Sequence, residues 1–243
     1  MALGDLLGNH NTAGSGGTRT FTPTLTTAAT EGNLLVVVLA TAAASITLTV
    51  EPTDFARLGD NVTTGELTYG FWWKEAVGGE EAETVTWTGT SAGGYCSIAE
   101  YDSTGLDLSV LDDSGEDITD ESTSVTSVDS GSATNSQNTA FAIAYFACDL
   151  ATGMRDSRSY TNSFAEDINQ SGTNNSRAGG YLASKVLSST GANTTTLSSS
   201  DSGAFATGAI AVWSAAGGGG GGPPLPIRRN IDGGMNQILG GMQ

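Results

Sequence analysis

The stretch NLLVVVLAT at residues 33–41 decides the fold class. It contains the apolar run LLVVVLA at 34–40, which is far shorter than the roughly 20 residues that a membrane-spanning helix needs. The valines at its centre favour an extended backbone. An apolar run without alternation predicts a strand that is buried on both faces. The stretch therefore indicates a central strand of a covered sheet.

Strand patterns continue after this stretch. SITLTV at 45–50 alternates apolar and polar residues, LTYGFWWKEAV at 67–77 and ETVTWT at 83–88 predict a hairpin through GGEEA at 78–82, and YCSIAEY at 95–101 completes the set. None of these segments has the period of a helix of normal length. Because Gly, Ser, Thr and Ala are abundant, we predict an all-β protein, an antiparallel β-sandwich of jelly-roll or lectin-like type.

The second half of the chain repeats the order of these signals. Its segments are NTAFAIAYFACD at 138–149, GGYLASKVL at 179–187, NTTTLSSS at 193–200 and GAFATGAIAVWSA at 203–215. Lys74 and Lys185 precede the aromatic strand ends Tyr101 and Trp213 by similar distances. The pattern favours a duplicated half that faces its copy across one core. The alternative is the general similarity of hairpins in Ser/Thr-rich β proteins.

The segments that flank this body differ from it in composition. Residues 1–17 predict a flexible N-terminal arm that Leu3, Leu6 and Leu7 anchor, and the sandwich domain spans residues 18–216. Residues 217–226 form a Gly/Pro linker, in which six glycines are flexible and PPLP favours an extended polyproline II conformation. Residues 227–243, IRRNIDGGMNQILGGMQ, remain as a terminal peptide.

This terminal peptide is the candidate partner-binding site. A free peptide of this composition is disordered, but its apolar stripe can order against a groove or a sheet edge. The residues that we predict to bind a partner are Ile227, Arg228, Arg229, Ile231, Met235, Ile238, Leu239 and Met242. PPLP followed by Arg228 also fits the short PxxPxR pattern that SH3 grooves bind. A stiff extension that presents the last residues is the interpretation that we prefer.

The charge of the chain disfavours several classes of partner. With 26 acidic and 9 basic residues, the formal net charge is -17, so we expect neither nucleic acid nor an anionic membrane as a partner. The first ten residues, MALGDLLGNH, lack the basic region and the apolar core of a signal peptide. We therefore expect no export by the usual signal.

Few residues favour catalysis or metal binding. His10, the only histidine, lies in the predicted arm, which disfavours a Ser-His-Asp or Cys-His mechanism. One histidine and the distant Cys96 and Cys148 do not complete a zinc site, and we predict these cysteines to be buried free thiols. The acidic residues at 112–121 lack the spacing of a calcium loop and predict a solvated loop. We expect no catalytic residue, no metal and no cofactor.

Two other functional hypotheses, a glycosidase and a glycan-binding module, can be attached to particular residues. Glu100 and Asp102, near a strand end, are the candidates for a two-carboxylate glycosidase, which we disfavour. In GFWWKE at 70–75, strand alternation places Trp72 opposite Phe71 and Trp73, so Trp72 is a candidate glycan contact. Packing of Trp72 in a core is the simpler expectation.

Taken together, these segments resemble β-sandwich virion proteins of tailed bacteriophages. The resemblance spans roughly residues 18–216 and rests on the following segments in their order: GNLLVVVLAT at 32–41, WWKEAVGGEEAETVTWT at 72–88, SIAEYDSTGLD at 97–107 and ASKVLSSTGANTTTLSSSDSGAFATGAIAVWSAAG at 183–217. The resemblance concerns the kind and the order of the segments and not particular motif residues, so no functional residue can be transferred from it.

The resemblance implies a head-decoration or minor tail protein that is assembled in the host cytoplasm and located in the virion. It implies homo-oligomers or many copies, with terminal arms that bind capsid or tail proteins. We therefore expect a non-enzymatic virion structural protein. The alternative is a carbohydrate-binding, host-adhesion module of a tail appendage that contacts host-surface glycans.

Overall fold

The computed structural model of the chain describes residues 2–14, 19–42, 46–58, 63–64, 67–89, 93–117, 125–149, 157–170 and 178–215. In these residues the structure contains eighteen strands and no helix. In chain order the strands are β1 (Leu6–Gly14), β2 (Arg19–Phe21), β3 (Leu34–Ala42), β4 (Ile46–Val50), β5 (Ala56–Leu58), β6 (Thr63–Thr64), β7 (Leu67–Glu75), β8 (Val85–Gly89), β9 (Gly94–Tyr101), β10 (Asp113–Asp117), β11 (Val125–Asp129), β12 (Ala133–Asn135), β13 (Ala140–Asp149), β14 (Ser159–Tyr160), β15 (Ala165–Gln170), β16 (Ala178–Leu187), β17 (Gly191–Asn193) and β18 (Thr196–Ser214). Their pairing is antiparallel.

Sixteen of these strands form four layers, two from each half of the chain, and β12 and β17 pair with each other as a separate two-stranded sheet. The first half, up to Leu111, forms the first inner sheet, β1-β9-β3-β7-β5 with β6 beside β7, and the first outer sheet, β2-β8-β4. The second half, from Asp112, forms the second inner sheet, β10-β18-β13-β16-β15. Its outer sheet consists of β11 and β14 on either side of the beginning of β18. The two inner sheets face each other, because β3 contacts β13 and β16. The predicted all-β antiparallel sandwich is confirmed.

Three apolar cores separate these layers. The central core lies between the inner sheets and contains side chains of both halves, such as Val36, Phe71, Ile143, Leu182 and Trp213. The first core, between the first inner and outer sheets, contains residues of the first half only. The second core contains residues of the second half only. Strands β3 and β13 are therefore buried on both faces, which explains their nearly unbroken apolar sequences.

The two halves have the same strand order. Strands β1, β9, β3, β7 and β5 correspond in order and in chain sequence to β10, β18, β13, β16 and β15. The pairing registers agree as well, because Leu35 pairs with Lys74 and Ala142 pairs in the same way with Lys185. The predicted structural repeat, in which one half faces its copy across a shared core, is thus confirmed.

The N-terminal segment differs from its prediction. Leu6–Gly14 is not a flexible arm but strand β1, which pairs with β9 at the edge of the first inner sheet. Its Gly- and Asn-rich sequence lacks apolar alternation, so the pattern did not indicate a strand, whereas β9 has a free edge whose backbone groups require partners. Leu3 and Leu6 pack against the central core, which confirms the anchoring prediction for these two of the three leucines, and Leu7 belongs to none of the apolar cores of the described residues.

The predicted hairpin of residues 67–88 is wrong. β7 belongs to the first inner sheet and β8 to the first outer sheet, so residues 76–84 cross from one layer to the next. The glycine-containing turn is compatible with either arrangement. One edge of β7 pairs with β3 and the other with β5 and β6, so β7 has no edge left for β8.

Two segments predicted as polar loops also contribute strands. The acidic stretch contains β10, and its carboxylates tie the edge of the sheet together: Asp112 accepts a hydrogen bond from the Ser136 backbone N at 2.6 Å, and Asp113 accepts one from Thr134 N at 2.7 Å. The polar stretch between β13 and β16 contains β14 and β15. Pairing with an apolar neighbour, rather than their own composition, makes these residues extended.

Candidate attachment and binding surfaces

The predicted partner-binding peptide lies outside the described part of the chain. This applies to Ile227, Arg228, Arg229, Ile231, Met235, Ile238, Leu239 and Met242. The structure does describe the point at which the chain leaves the body. The Ala215 backbone N donates to the Thr139 carbonyl at 2.8 Å, and Ala215 forms a β-bridge with Leu106. The Ser214 hydroxyl contacts the carboxylate of Asp112.

The strand that precedes this exit point is bonded along both sides. Residues 208–212 of β18 pair with β10, and residues 204–214 pair with β13. A pull on the segment after Ala215, directed along the strand, therefore loads many ladder hydrogen bonds at once. The ladders on both sides of β18 would therefore resist a force that is applied to the body through its C-terminal segment.

The exit point and the far end of the sandwich are on opposite sides of the body. Along β13, Ala140 pairs with Ser214 beside the exit point, and Asp149 pairs with Ala204 at the far end. The strand ends at Ala42, Leu67, Gly94 and Ala178 lie at this far end as well. A body held by its C-terminal segment thus directs these strand ends away from the point of attachment.

Trp72 does not supply a surface for sugar stacking. Its side chain is 1 % exposed, and it packs in the first core. The indole Nε1 donates to Glu51 Oε2 at 2.9 Å. The other three tryptophans are buried too. The expectation that Trp72 packs in a core is confirmed, and its assignment as a glycan contact is wrong, because a sugar needs an accessible ring face.

Glu100 and Asp102 have structural partners in the first half. Glu100 is 4 % exposed and accepts hydrogen bonds from Thr30 N at 2.9 Å and Asn33 Nδ2 at 2.6 Å. Asp102 accepts a hydrogen bond from Thr104 N at 2.9 Å, and this bond lowers the pKa of its carboxyl. A glycosidase acid requires a raised pKa, so the environment of Asp102 is the opposite of what that role needs.

The remaining predicted residues are placed as follows. Cys96 and Cys148 are buried free thiols, as predicted, and they lie in the first and second cores respectively. His10 lies in β1, where its backbone pairs with Ile98 of β9. Among the described residues, no cluster of three His, Cys, Asp or Glu side chains is arranged to hold a metal ion. In the same part of the chain, no helix has the length and apolar character needed to cross a membrane.

In each half of the chain, a lysine side chain lies over a phenylalanine ring. These lysine–phenylalanine contacts were not predicted. Lys74 Nζ lies 4.7 Å from the ring centroid of Phe55, and Lys185 Nζ lies 5.9 Å from that of Phe164. Each ring follows a residue with a positive φ, 63° at Asp54 and 62° at Ser163. The equal placement of the two lysines was the signal in the sequence. The rings were missed because the turns that position them have different sequences.

The two lysines differ in their ion pairs. Lys74 Nζ lies 3.4 Å from Glu80 Oε1 and 3.3 Å from Glu83 Oε1, and the side chains of Lys74 and Glu83 are only 14 % and 9 % exposed. Burial alone raises the pKa of Glu80, but hydrogen bonds from Val77 N and the Lys74 charge outweigh it and lower the pKa. In the described residues, Lys185 forms no such pair. Thr195 takes the place of Glu83, two residues before a buried apolar residue of the outer sheet.

This difference predicts unequal costs for removing the two charges. Lys74→Met leaves the nearly buried carboxylate of Glu83 without its cation, so we expect the free energy of unfolding to fall by about 1–2 kcal/mol. Lys185→Met removes no ion pair and is expected to change it by less than about 0.5 kcal/mol. Guanidinium denaturation of both variants measures the difference. Equal losses for the two variants contradict the assignment.

Comparison with known proteins assigns neither a family nor a function. Searches against protein-family models, curated proteins and solved structures find nothing that matches this chain.

Proposed function

We propose that this chain is a non-enzymatic structural protein of a tailed-phage particle, held to other capsid or tail proteins through its C-terminal residues. The observation that carries the proposal is the exit point at Ala215, which continues a strand paired on both sides and lies at the opposite end of the body from Asp149 and Ala204. A glycine spacer, a proline stiffener, two arginines and an apolar stripe follow it in that order. This is the order that a tether with a terminal docking peptide requires.

Charge supports the same arrangement. Beyond Ala215 the chain has two basic residues, Arg228 and Arg229, and one acidic residue, Asp232, whereas the whole chain has a net charge of -17. The acidic bodies of neighbouring copies repel one another, while the slightly basic peptide is free to approach an acidic partner. Many copies on one lattice hold firmly even if each attachment is weak.

The test is sedimentation of phage-producing cell lysates that contain the full chain or a chain stopped after Ala216. The full chain is expected to sediment with large particles and the stopped chain to remain in the supernatant. The reason is that the stopped chain keeps the whole described body but lacks the docking peptide. If neither chain sediments, attachment to a particle is contradicted.

A matched control separates the docking peptide from the spacer. In the full-length chain, all six apolar residues of the peptide are changed to serine: Ile227, Ile231, Met235, Ile238, Leu239 and Met242. This variant keeps the length, the glycines and the arginines, and we expect at least a tenfold loss of the sedimenting fraction. If it sediments like the unchanged chain, the apolar stripe is not the contact.

A further inference from the structure

The two halves of the chain are each complete as packing units. The first core joins the inner and outer sheets of the first half without any residue of the second half, and the second core does the same for the other half. Only the central core mixes the two. A unit with its own core has the minimum requirement of an independent domain. The central core is then an interface between two such units.

The contacts across this interface show the reciprocity of a two-fold dimer. In a two-fold interface, if position i of one subunit touches position j of the other, then position j of the first touches position i of the second. Strands β3 and β13 are equivalent and contact each other, and the contact of β3 with β16 is matched by that of β7 with β13. The contacts among β3, β7, β13 and β16 therefore obey the rule.

Individual residues show the same reciprocity among the cross-strand neighbours of Ala40 and of its equivalent, Ala147. Ala40 pairs with Tyr69 and Tyr95, and the equivalent Ala147 pairs with Gly180 and Thr207. The ring of Tyr95 covers Gly180, since a Cβ on Gly180 would lie 2.7 Å from the Tyr95 Cζ and hydroxyl oxygen. At the reciprocal position, burial raises the pKa of the Tyr69 hydroxyl and the adjacent side chain of Thr207 partly opposes this.

A second pair of positions obeys the rule near the exit point. Trp73 packs edge-on against Trp213, with ring centroids 5.6 Å apart. By register, Ser184 corresponds to Trp73 and Tyr101 corresponds to Trp213. Tyr101 and Ser184 are linked through Asp167, because the Tyr101 hydroxyl donates to its carboxylate at 3.1 Å and the Ser184 side chain partly opposes the rise that burial causes in its pKa. The aromatic pair of Trp73 and Trp213 on one side of the two-fold axis is thus matched on the other side by a polar group that contains Ser184, Tyr101 and Asp167.

We infer that the body is a fused dimer of two related units, in which the inner sheet of each half is an interaction surface for the inner sheet of the other half. The two surfaces have since become specific for each other. A pair of first halves would set Tyr95 against Tyr69, where there is no space, and a pair of second halves would set Thr207 against Gly180 and leave a void. Only the mixed pair fits a large side chain to a small one at both positions.

The test cleaves the full chain between its halves. A recognition sequence for a specific protease is inserted between Ser109 and Val110, which are both exposed in the junction. After cleavage, the two fragments are expected to elute together at the size of the uncut chain. After denaturation, separation and remixing, they are expected to recover the near-ultraviolet circular dichroism of the uncut chain at a rate that depends on concentration.

A control cleaves inside one half. The same sequence is inserted between Gly78 and Gly79, which are exposed in the crossing from β7 to β8. These fragments divide the first core and are expected not to recover native structure after remixing. If the junction fragments fail to recover, or if the control fragments recover equally well, the inference of two self-contained units is overturned. Neither result depends on whether the chain belongs to a phage particle.

Discussion

Gly180→Tyr is expected to leave the body unfolded or to lower its free energy of unfolding by about 4 kcal/mol or more. A Cβ at this position overlaps the ring of Tyr95, which belongs to the other half of the chain. Tyr95 is itself fully enclosed in the central core, so it has no free volume into which to turn. The inserted ring must then separate the inner sheets. Guanidinium denaturation followed by circular dichroism measures the loss.

The same model of the interface predicts how to rescue this variant. Adding Tyr95→Thr to Gly180→Tyr creates the arrangement that Thr207 and Tyr69 already have at the reciprocal position. We expect the double variant to regain more than half of the lost stability, whereas Tyr95→Thr alone leaves a cavity and costs about 3 kcal/mol. Strong coupling of this kind is the mark of residues in direct contact.

Gly8→Ala is the control for glycine replacement in general. A Cβ on Gly8 would lie 3.7 Å from Leu25 Cδ2, which is an ordinary contact, so the change is expected to cost less than about 1 kcal/mol. If Gly180→Tyr is as mild as Gly8→Ala, the two inner sheets do not pack as described. If the double variant is no more stable than Gly180→Tyr alone, the reciprocity of the two positions is contradicted.

The strands at the centre of the sheets were predictable because burial on both faces leaves a local signature. LLVVVLA in β3 and AFAIAYFAC in β13 are apolar without interruption, and a water-exposed segment has no reason to be so. The repeat was predictable for a related reason. Each half must supply the same set of central strands in the same order, so the apolar segments recur.

The edges and layers were not predictable because tertiary pairing determines them. The sequence of β1 is polar, and only the unpaired edge of β9 makes it extended. Whether β8 pairs with β7 or moves to another layer depends on whether other strands occupy both edges of β7, and the apolar pattern of β7 does not contain that information. The choice between a core position and an exposed glycan contact for Trp72 likewise depended on the outer sheet, whose strands β2, β4 and β8 cover it.

Asp167→Asn is expected to raise the free energy of unfolding by about 2 kcal/mol at pH 8. Asp167 lies in a bulge of β15, between Glu166 and Ile168, and the bulge lets its carboxylate reach Tyr101 of the first inner sheet. There it accepts a hydrogen bond from the Tyr101 hydroxyl at 3.1 Å. Burial raises the pKa of Asp167 to about 6, and the hydroxyls of Ser184 and Tyr101 only partly oppose this. Asparagine keeps an acceptor for Tyr101 and removes the charge.

The sign of the pH dependence follows from the direction of this shift. An unfolded aspartate has a pKa of about 3.9, so the native state binds the proton more tightly than the unfolded chain does. The stability that Asp167 contributes is therefore fully present below about pH 4, is lost as the pH rises to about 6, and stays constant above that. The difference in unfolding free energy between the asparagine variant and the unchanged chain should grow over this interval and then level.

Asp107→Asn supplies a control of opposite sign. The Ser109 hydroxyl and backbone N–H donate to Asp107 and lower the pKa of its carboxyl, so its stabilising effect is present at neutral pH and disappears as the pH falls. Subtracting each variant's curve from that of the unchanged chain removes the effect of the other acidic groups. A flat difference curve for Asp167→Asn between pH 4 and pH 8 would show that the carboxylate is hydrated, and therefore that water enters between the inner sheets at this edge.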